Sequence, residues 1–191
     1  MGQDKEEQPI CKALKSARFP LLMAVRDSGV AVEWALAFLG CMRQLAKKPC
    51  IALDIDGTVI LNVKDGPTRC VKHFQALVGA CADYNITVFC ITARTESHTV
   101  REYTTRQLEK CSLAPISHVY MRPKDADYAS YKHKAREHIA KRGFTILLTV
   151  GDQWADISFQ NPPSELLDTN AYVGQLSDNL QFGIKLPSEF A

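Results

Sequence analysis

Asp54 and Asp56 close an apolar run, Cys50-Ile51-Ala52-Leu53, with a single isoleucine between them. Residues two apart in extended chain face the same side, so the two carboxylates point together. Burying one carboxylate without a partner is costly, and a second one nearby adds repulsion. Other residues must therefore offset that charge. Thr92, Arg94, Lys132, Asp152 and Asp156 lie downstream and offer a hydroxyl, two cations and two more acids. A divalent cation among the oxygens would relieve the repulsion. Magnesium suits the set, since it takes hard oxygen ligands, keeps several waters and often bridges to phosphate. Phosphoryl transfer needs positioning and charge neutralisation, which a lysine and such an ion supply. Gly57 permits the sharp exit that the chain needs after Asp56.

These residues cooperate only if the chain delivers them to one edge of a fold. The apolar stretch Ser28–Leu45 predicts a helix, and 50–55 a strand. Pro67 fits the first turn of a helix whose inner face is Cys70, Val71, Phe74, Leu77, Val78 and Cys81. The β-branched run 86–92 predicts a strand. Thr95 can cap a helix facing inward with Val100, Tyr103, Gln107 or Leu108, and Cys111. A short strand at 117–121 precedes a helix marked by Tyr128, Tyr131, Ala135 and Ile139 and closed by Gly143. The continuous apolar run 144–150 suits a strand covered on both faces. This alternation predicts an α/β fold, a three-layer, doubly wound parallel sheet. Residues 1–27 read as an N-terminal tail and 28–191 as one domain, beginning with an N-terminal helical extension. Residues 157–191 read as loops with one or two short strands, at "NAYVG" and "FGIKL". In an open parallel sheet, ligands sit at the carboxyl ends of the strands. Those ends carry Asp54 to Thr58, then Thr92-Ala93-Arg94, then Gly151 to Asp156, with Lys132 near the start of the third crossover helix.

The order D-x-D-G-T, hydrophobic-T-x-R, Lys, G-D-x-x-x-D resembles the haloacid dehalogenase (HAD) superfamily of phosphohydrolases. The block "YKHKAREHIAKRGFTILLTVGDQWADI" (131–157) and the ending "FGIKLP" (182–187) resemble its acid phosphatase and vegetative storage protein branch, subfamily IIIB. The likeness covers roughly residues 28–187. That branch usually has Glu where this chain has Gly57, and Gly where it has Ala93. The resemblance implies a HAD-like Rossmannoid fold and a Mg²⁺-dependent phosphomonoester hydrolase. In it Asp54 attacks phosphorus and Asp56 protonates the leaving group, then activates water. Thr92, Ala93, Arg94 and Lys132 bind the phosphoryl group. Asp54, Asp56 through its main-chain carbonyl, Asp152 and Asp156 hold the metal.

Cap insertions set substrate choice in this superfamily. Only "VILNVKDGPT" (59–68) separates the first motif from its helix, and Asp65-Gly66 suggests a small hairpin flap. No extra domain fits between Thr92 and Lys132. The site is thus expected to be capless or minimally flapped, and open to small esters or macromolecular ends. The segment 119–132 also loosely resembles the phosphatase half of polynucleotide kinase-phosphatases, which makes a nucleic-acid 3′-phosphate the second substrate class. Two non-enzyme readings compete: a structural or storage protein keeping the fold, and a phosphate-receiving signalling domain. Nothing structural requires Asp54, Asp56, Lys132 and Asp152 together, and a receiver domain lacks D-x-D-G-T. Lys124 and Lys134 rival Lys132, and Arg94 could equally bind substrate or pair with a carboxylate.

Composition narrows the field further. Apolar residues make up 46% and charged residues 23% of the 191, ordinary values for a globular chain. A net charge of +2 gives little support for nucleic-acid binding through bulk charge. No apolar run is long enough for a membrane helix. The polar start "MGQDKEEQPI" lacks the pattern of a secretory signal, and Glu6 stands where myristoylation wants Ser or Thr. Seven cysteines, with no C-x-x-C pair, argue against zinc. With Cys50, Cys81 and Cys90 in apolar runs, they suggest a reduced, intracellular (cytoplasmic) protein.

Overall fold

Alternation along one strand explains the layers. In Pro49–Leu53, Ile51 and Leu53 enter one apolar cluster, while Cys50 and Ala52 enter another on the opposite face. A strand covered on both sides must be apolar throughout, and this one is. The computed structural model describes residues 21–61, 68–157 and 182–187. Its elements are β1 (Leu21–Ala24), α1 (Ser28–Met42), β2 (Pro49–Leu53), β3 (Ile60–Leu61), β4 (Arg69–Cys70), α2 (His73–Asp83), β5 (Thr87–Thr95), α3 (His98–Lys110), β6 (His118–Arg122), α4 (Tyr128–Lys141), β7 (Thr145–Gly151), α5 (Trp154–Ile157) and β8 (Phe182–Lys185).

Among the described residues six strands pair in the order β1-β8-β7-β2-β5-β6, and every neighbouring pair is parallel. α1 covers one face with Ala31, Val32, Ala35, Phe38, Leu39 and Met42, and α2 adds Phe74, Leu77, Val78 and Cys81. The Phe38 and Phe182 rings lie 4.9 Å apart, locking α1 to β8. α4 and α5 cover the other face through Ala135, Ile139 and Ile157. The fold is therefore the three-layer α/β sheet that the alternation predicts. β3 and β4 form a separate antiparallel pair, the arms of a hairpin rooted beside the site. The expected Asp65-Gly66 turn, Pro67 and the "NAYVG" strand lie outside the described residues. Among those residues no domain is inserted between β5 and α4.

Local details depart from the sequence reading in five places. Leu21–Ala24 is the outer strand of the sheet, paired with β8, where a tail or loop was expected. Ser97, not Thr95, caps α3 by accepting the Val100 N–H at 3.2 Å, because β5 continues through Thr95. Cys70 lies in β4, one short strand before α2, and Tyr103 is 56% exposed rather than inward. Lastly, Cys70 is joined to Cys111 by a disulfide, and Cys41 is disulfide-bonded as well. The chain is thus not wholly reduced. Cys50, Cys81 and Cys90 are free and buried as expected, and burial pushes each thiol up to about 12. Among the described residues, no helix is long and apolar enough to cross a membrane.

Candidate active site

The chain leaves β2 through Asp54, whose N–H bonds to the Val150 carbonyl of β7 at 2.9 Å. It then turns tightly: the N–H groups of Val59 and Ile60 return to the Ile55 carbonyl. Gly57 makes the turn with φ of +77°, and a Cβ there would meet the Asp152 carboxylate oxygen at 2.5 Å. Gly151, at the end of β7, is as constrained. A Cβ on it would lie 2.1 Å from that of Asp156. Two glycines thus let backbone approach the carboxylates directly.

Asp54, Asp152 and Asp156 are all buried and offer carboxylate oxygens within 4.8 Å of one another. Lys132, on the first turns of α4 and 1% exposed, reaches into this group. Its Nζ donates short hydrogen bonds to Asp54 Oδ1 and Asp156 Oδ1 and a third, of 3.0 Å, to the Ile91 carbonyl. Asp127 sets the start of α4 by accepting the Ser130 N–H at 2.8 Å. The rivals Lys124 and Lys134 are exposed.

The same strand end presents Asp56 to a different cation. Arg94 Nε donates to Asp56 Oδ2 at 2.8 Å and Nη2 to Oδ1 at 2.7 Å, a bidentate pair. Arg94 is thus paired with a carboxylate in the structure. Thr92 is buried, with its Oγ1 3.4 Å from Asp56 Oδ2 and accepting the Arg94 N–H at 3.2 Å. The Asp56 side chain does not join the three clustered acids. The Ala93 carbonyl accepts from Arg122 Nε at 3.1 Å, and Arg122 also bonds Thr95 Oγ1 and the Ala126 carbonyl. One arginine thereby ties the end of β5 to the segment leading into α4.

Electrostatics follow from burial and crowding. Burial pushes the Asp54 carboxyl well above the usual carboxylate range, and Asp156 raises it further against the pull of Lys132. Burial alone would lower Lys132, but Asp156 and Asp54 outweigh it and hold the ammonium above the ordinary lysine range. Burial also raises Asp152, opposed by the 2.9 Å bond from Gln153 Nε2. Three carboxylates crowd within 4.8 Å of one another, and two of them, Asp54 and Asp156, meet one ammonium. The surplus negative charge and the all-oxygen donor set fit a divalent cation.

Four supporting residues were not singled out as site residues from sequence. Tyr128 Oη donates to Asp156 Oδ1 at 3.3 Å, and the Gln153 N–H to Asp156 Oδ2 at 2.9 Å. Arg136 is buried and donates to the Ala155 and Asp156 carbonyls at 3.0 Å. It lies one helical turn after Lys132, a spacing that could have marked it. Lys185, in the "FGIKLP" ending, has its Nζ 5.6 Å above the Trp154 ring, beside Asp152 and Asp156, and burial lowers its pKa.

A parallel sheet with an acid cluster, a lysine and a threonine at its carboxyl edge defines a phosphoryl-handling class of α/β protein. The chain belongs to the HAD superfamily, subfamily IIIB (acid phosphatase), whose family model matches residues 63–168, more than half of its length. The matched span contains Thr92, Lys132, Asp152 and Asp156 and begins after Asp54 and Asp56. Among solved structures, the class C acid phosphatase from Bacillus anthracis superposes with a TM-score of 0.52 at 14% identity. The alignment covers 68% of this chain and 64% of that one, a likeness of fold. The chain thus spans about two thirds of that structure's length. No curated protein matches it.

Proposed function

We propose that the chain is a phosphomonoester hydrolase working through an aspartyl-phosphate on Asp54. The observation that carries this is the Lys132 ammonium bonded to both Asp54 and Asp156 within a buried three-acid cluster at the sheet's carboxyl edge. An Asp54 oxygen attacks phosphorus as the bond to the leaving oxygen breaks. Asp56 gives that oxygen a proton, then takes one from the water that attacks the aspartyl-phosphate. Phosphate departs and Asp54 is restored. Lys132 neutralises Asp54 and the phosphoryl oxygens, and Thr92 with the main chain around Ala93 orients them. Asp54, Asp152 and Asp156 would hold Mg²⁺, which supplies charge neutralisation for the transferring group. The substrate class is phosphorylated small molecules or accessible phosphorylated ends, consistent with the lack of an inserted domain among the described residues. Residues 28–191 are the proposed catalytic unit, with β1 added at its edge. The disulfides support an oxidising location rather than the cytoplasmic one expected from the cysteine pattern. The test is hydrolysis of an aryl phosphate with Mg²⁺ and with EDTA, together with mass-spectrometric trapping of phosphate on Asp54. Metal-dependent turnover with a labelled Asp54 is the expected result, and no turnover under any metal overturns the proposal.

A further inference from the structure

α3 buries two polar side chains, Thr104 and Gln107, at positions where a helix facing a sheet normally carries apolar ones. Both bond the same guanidinium. Arg94 Nη1 donates to Thr104 Oγ1 at 2.9 Å and to Gln107 Oε1 at 2.6 Å. With its two bonds to Asp56, Arg94 has four of its five N–H groups engaged. Each helix partner is itself fixed as an acceptor. Thr104 Oγ1 donates its own proton to the Val100 carbonyl at 2.7 Å. Gln107 Nε2 donates to Thr68 Oγ1 at 2.8 Å and Tyr103 Oη at 2.9 Å, which orients the amide oxygen toward Arg94. Thr68 adjoins β4, and the Cys70–Cys111 disulfide ties β4 to the end of α3. A chain of bonds thus runs from the hairpin root through Gln107 and Arg94 to Asp56.

We propose that Gln107, with Thr104, is a positioning residue that acts through Arg94 to aim the Asp56 carboxyl group as proton donor to the leaving oxygen. The inference rests on the phosphatase reading above. Two in-plane bonds from Arg94 fix the plane of the carboxyl group. They leave a second lone pair on each oxygen for the proton it transfers. As the phosphorus–oxygen bond breaks, the proton passes from Asp56 to the leaving oxygen, and Arg94 stabilises the carboxylate left behind.

The test compares kcat/KM for 2,4-dinitrophenyl phosphate, whose leaving group departs without a proton, with that for glycerol phosphate, whose alkoxide needs one. This parameter ends at leaving-group departure, so the later role of Asp56 as base does not enter it. Gln107→Met is expected to lower the glycerol phosphate value about 10–10²-fold, a fraction of what general acid catalysis supplies, and the dinitrophenyl value under threefold. Gln107→Glu, which keeps an acceptor for Arg94, should recover most of the loss. In an Asp56→Asn background, Gln107→Met should add nothing further. Thr104→Val should give the same selective pattern, weaker, and stands in if Gln107→Met does not fold. Equal losses on both esters, or no loss on either, overturn the inference while leaving the phosphatase reading intact. A wild-type chain that turns over neither ester overturns that reading, and this inference with it.

Discussion

Asp54 and Asp56 leave the same strand two residues apart, yet their surroundings share little. Asp54 is buried with two other acids and meets a compact ammonium that contacts oxygens from three different elements. Asp56 stays about one-third exposed and meets a planar guanidinium that grips both its oxygens and is itself held from behind by a helix. Lysine serves where several acceptors converge on a point, and arginine where one carboxylate must keep its plane. On the proposed mechanism two identical side chains thereby take different tasks, one as nucleophile inside a charge cluster and the other as proton carrier at its margin.

The largest expected effect lies at the first pole. Asp54→Asn should reduce aryl phosphate turnover by about 10⁴ or more with the circular dichroism spectrum unchanged, as for removal of a nucleophile. Activity within tenfold of wild type would break the division of tasks outright. Next, Lys132→Ala should lower the rate about 10²–10³-fold, while Lys124→Ala and Lys134→Ala, both exposed, lose a few-fold at most. The contrast extends to stability. Removing Lys132 leaves two buried acids without their cation and should cost about 3–5 kcal/mol by urea titration in EDTA. Arg94→Ala, beside a part-exposed acid, should cost about 1–2 kcal/mol.

Metal response separates the poles further. Mg²⁺ at a hundredfold excess over its Kd should stabilise the wild type by about 2.7 kcal/mol. Asp152→Asn should largely remove that shift, and Asp56→Asn should retain it, since only Asp152 belongs to the buried cluster. The smallest effect is a pH trend. Asp54 and Asp152 are raised in the fold above their ordinary 3.8, so the folded state binds protons more tightly than the unfolded one. Stability without metal is then greatest below about pH 4 on their account and declines as pH rises through the elevated values. Melting in EDTA across that range checks the sign, and Mg²⁺ should flatten the slope.

The placing of residues at strand ends was legible from sequence because it depends on short-range order. A hydrophobic run fixes each strand, and the residues just past it fall on one edge whatever the loops do. Asp54, Thr92, Asp152 and Asp156 were placed that way, and Lys132 by its position after Tyr131. Other features need tertiary contact to be seen. β1 is four residues long and becomes a strand only because β8 offers an edge. Ser97 displaces Thr95 as a cap because β5 overruns its apolar stretch. Cys70 and Cys111 stand 41 residues apart, and nothing local signals that their Cα atoms lie 5.3 Å from one another. The inward position was read as Gln107 or Leu108, and both are buried, but the purpose of Gln107 depends on an arginine from another element.

Gly57 and Gly151 carry no reactive atom, yet each occupies space that a methyl group would take from a carboxylate. In a saturation mutagenesis screen, position 151 should tolerate substitution as poorly as Asp156 itself, since even alanine would push Asp156 out of reach of Lys132. Ranking positions by loss of activity would then place two hydrogen atoms among the catalytic groups. For redesign, the practical boundary of this site is therefore drawn by volume as much as by charge, and it runs through the backbone of two strand ends.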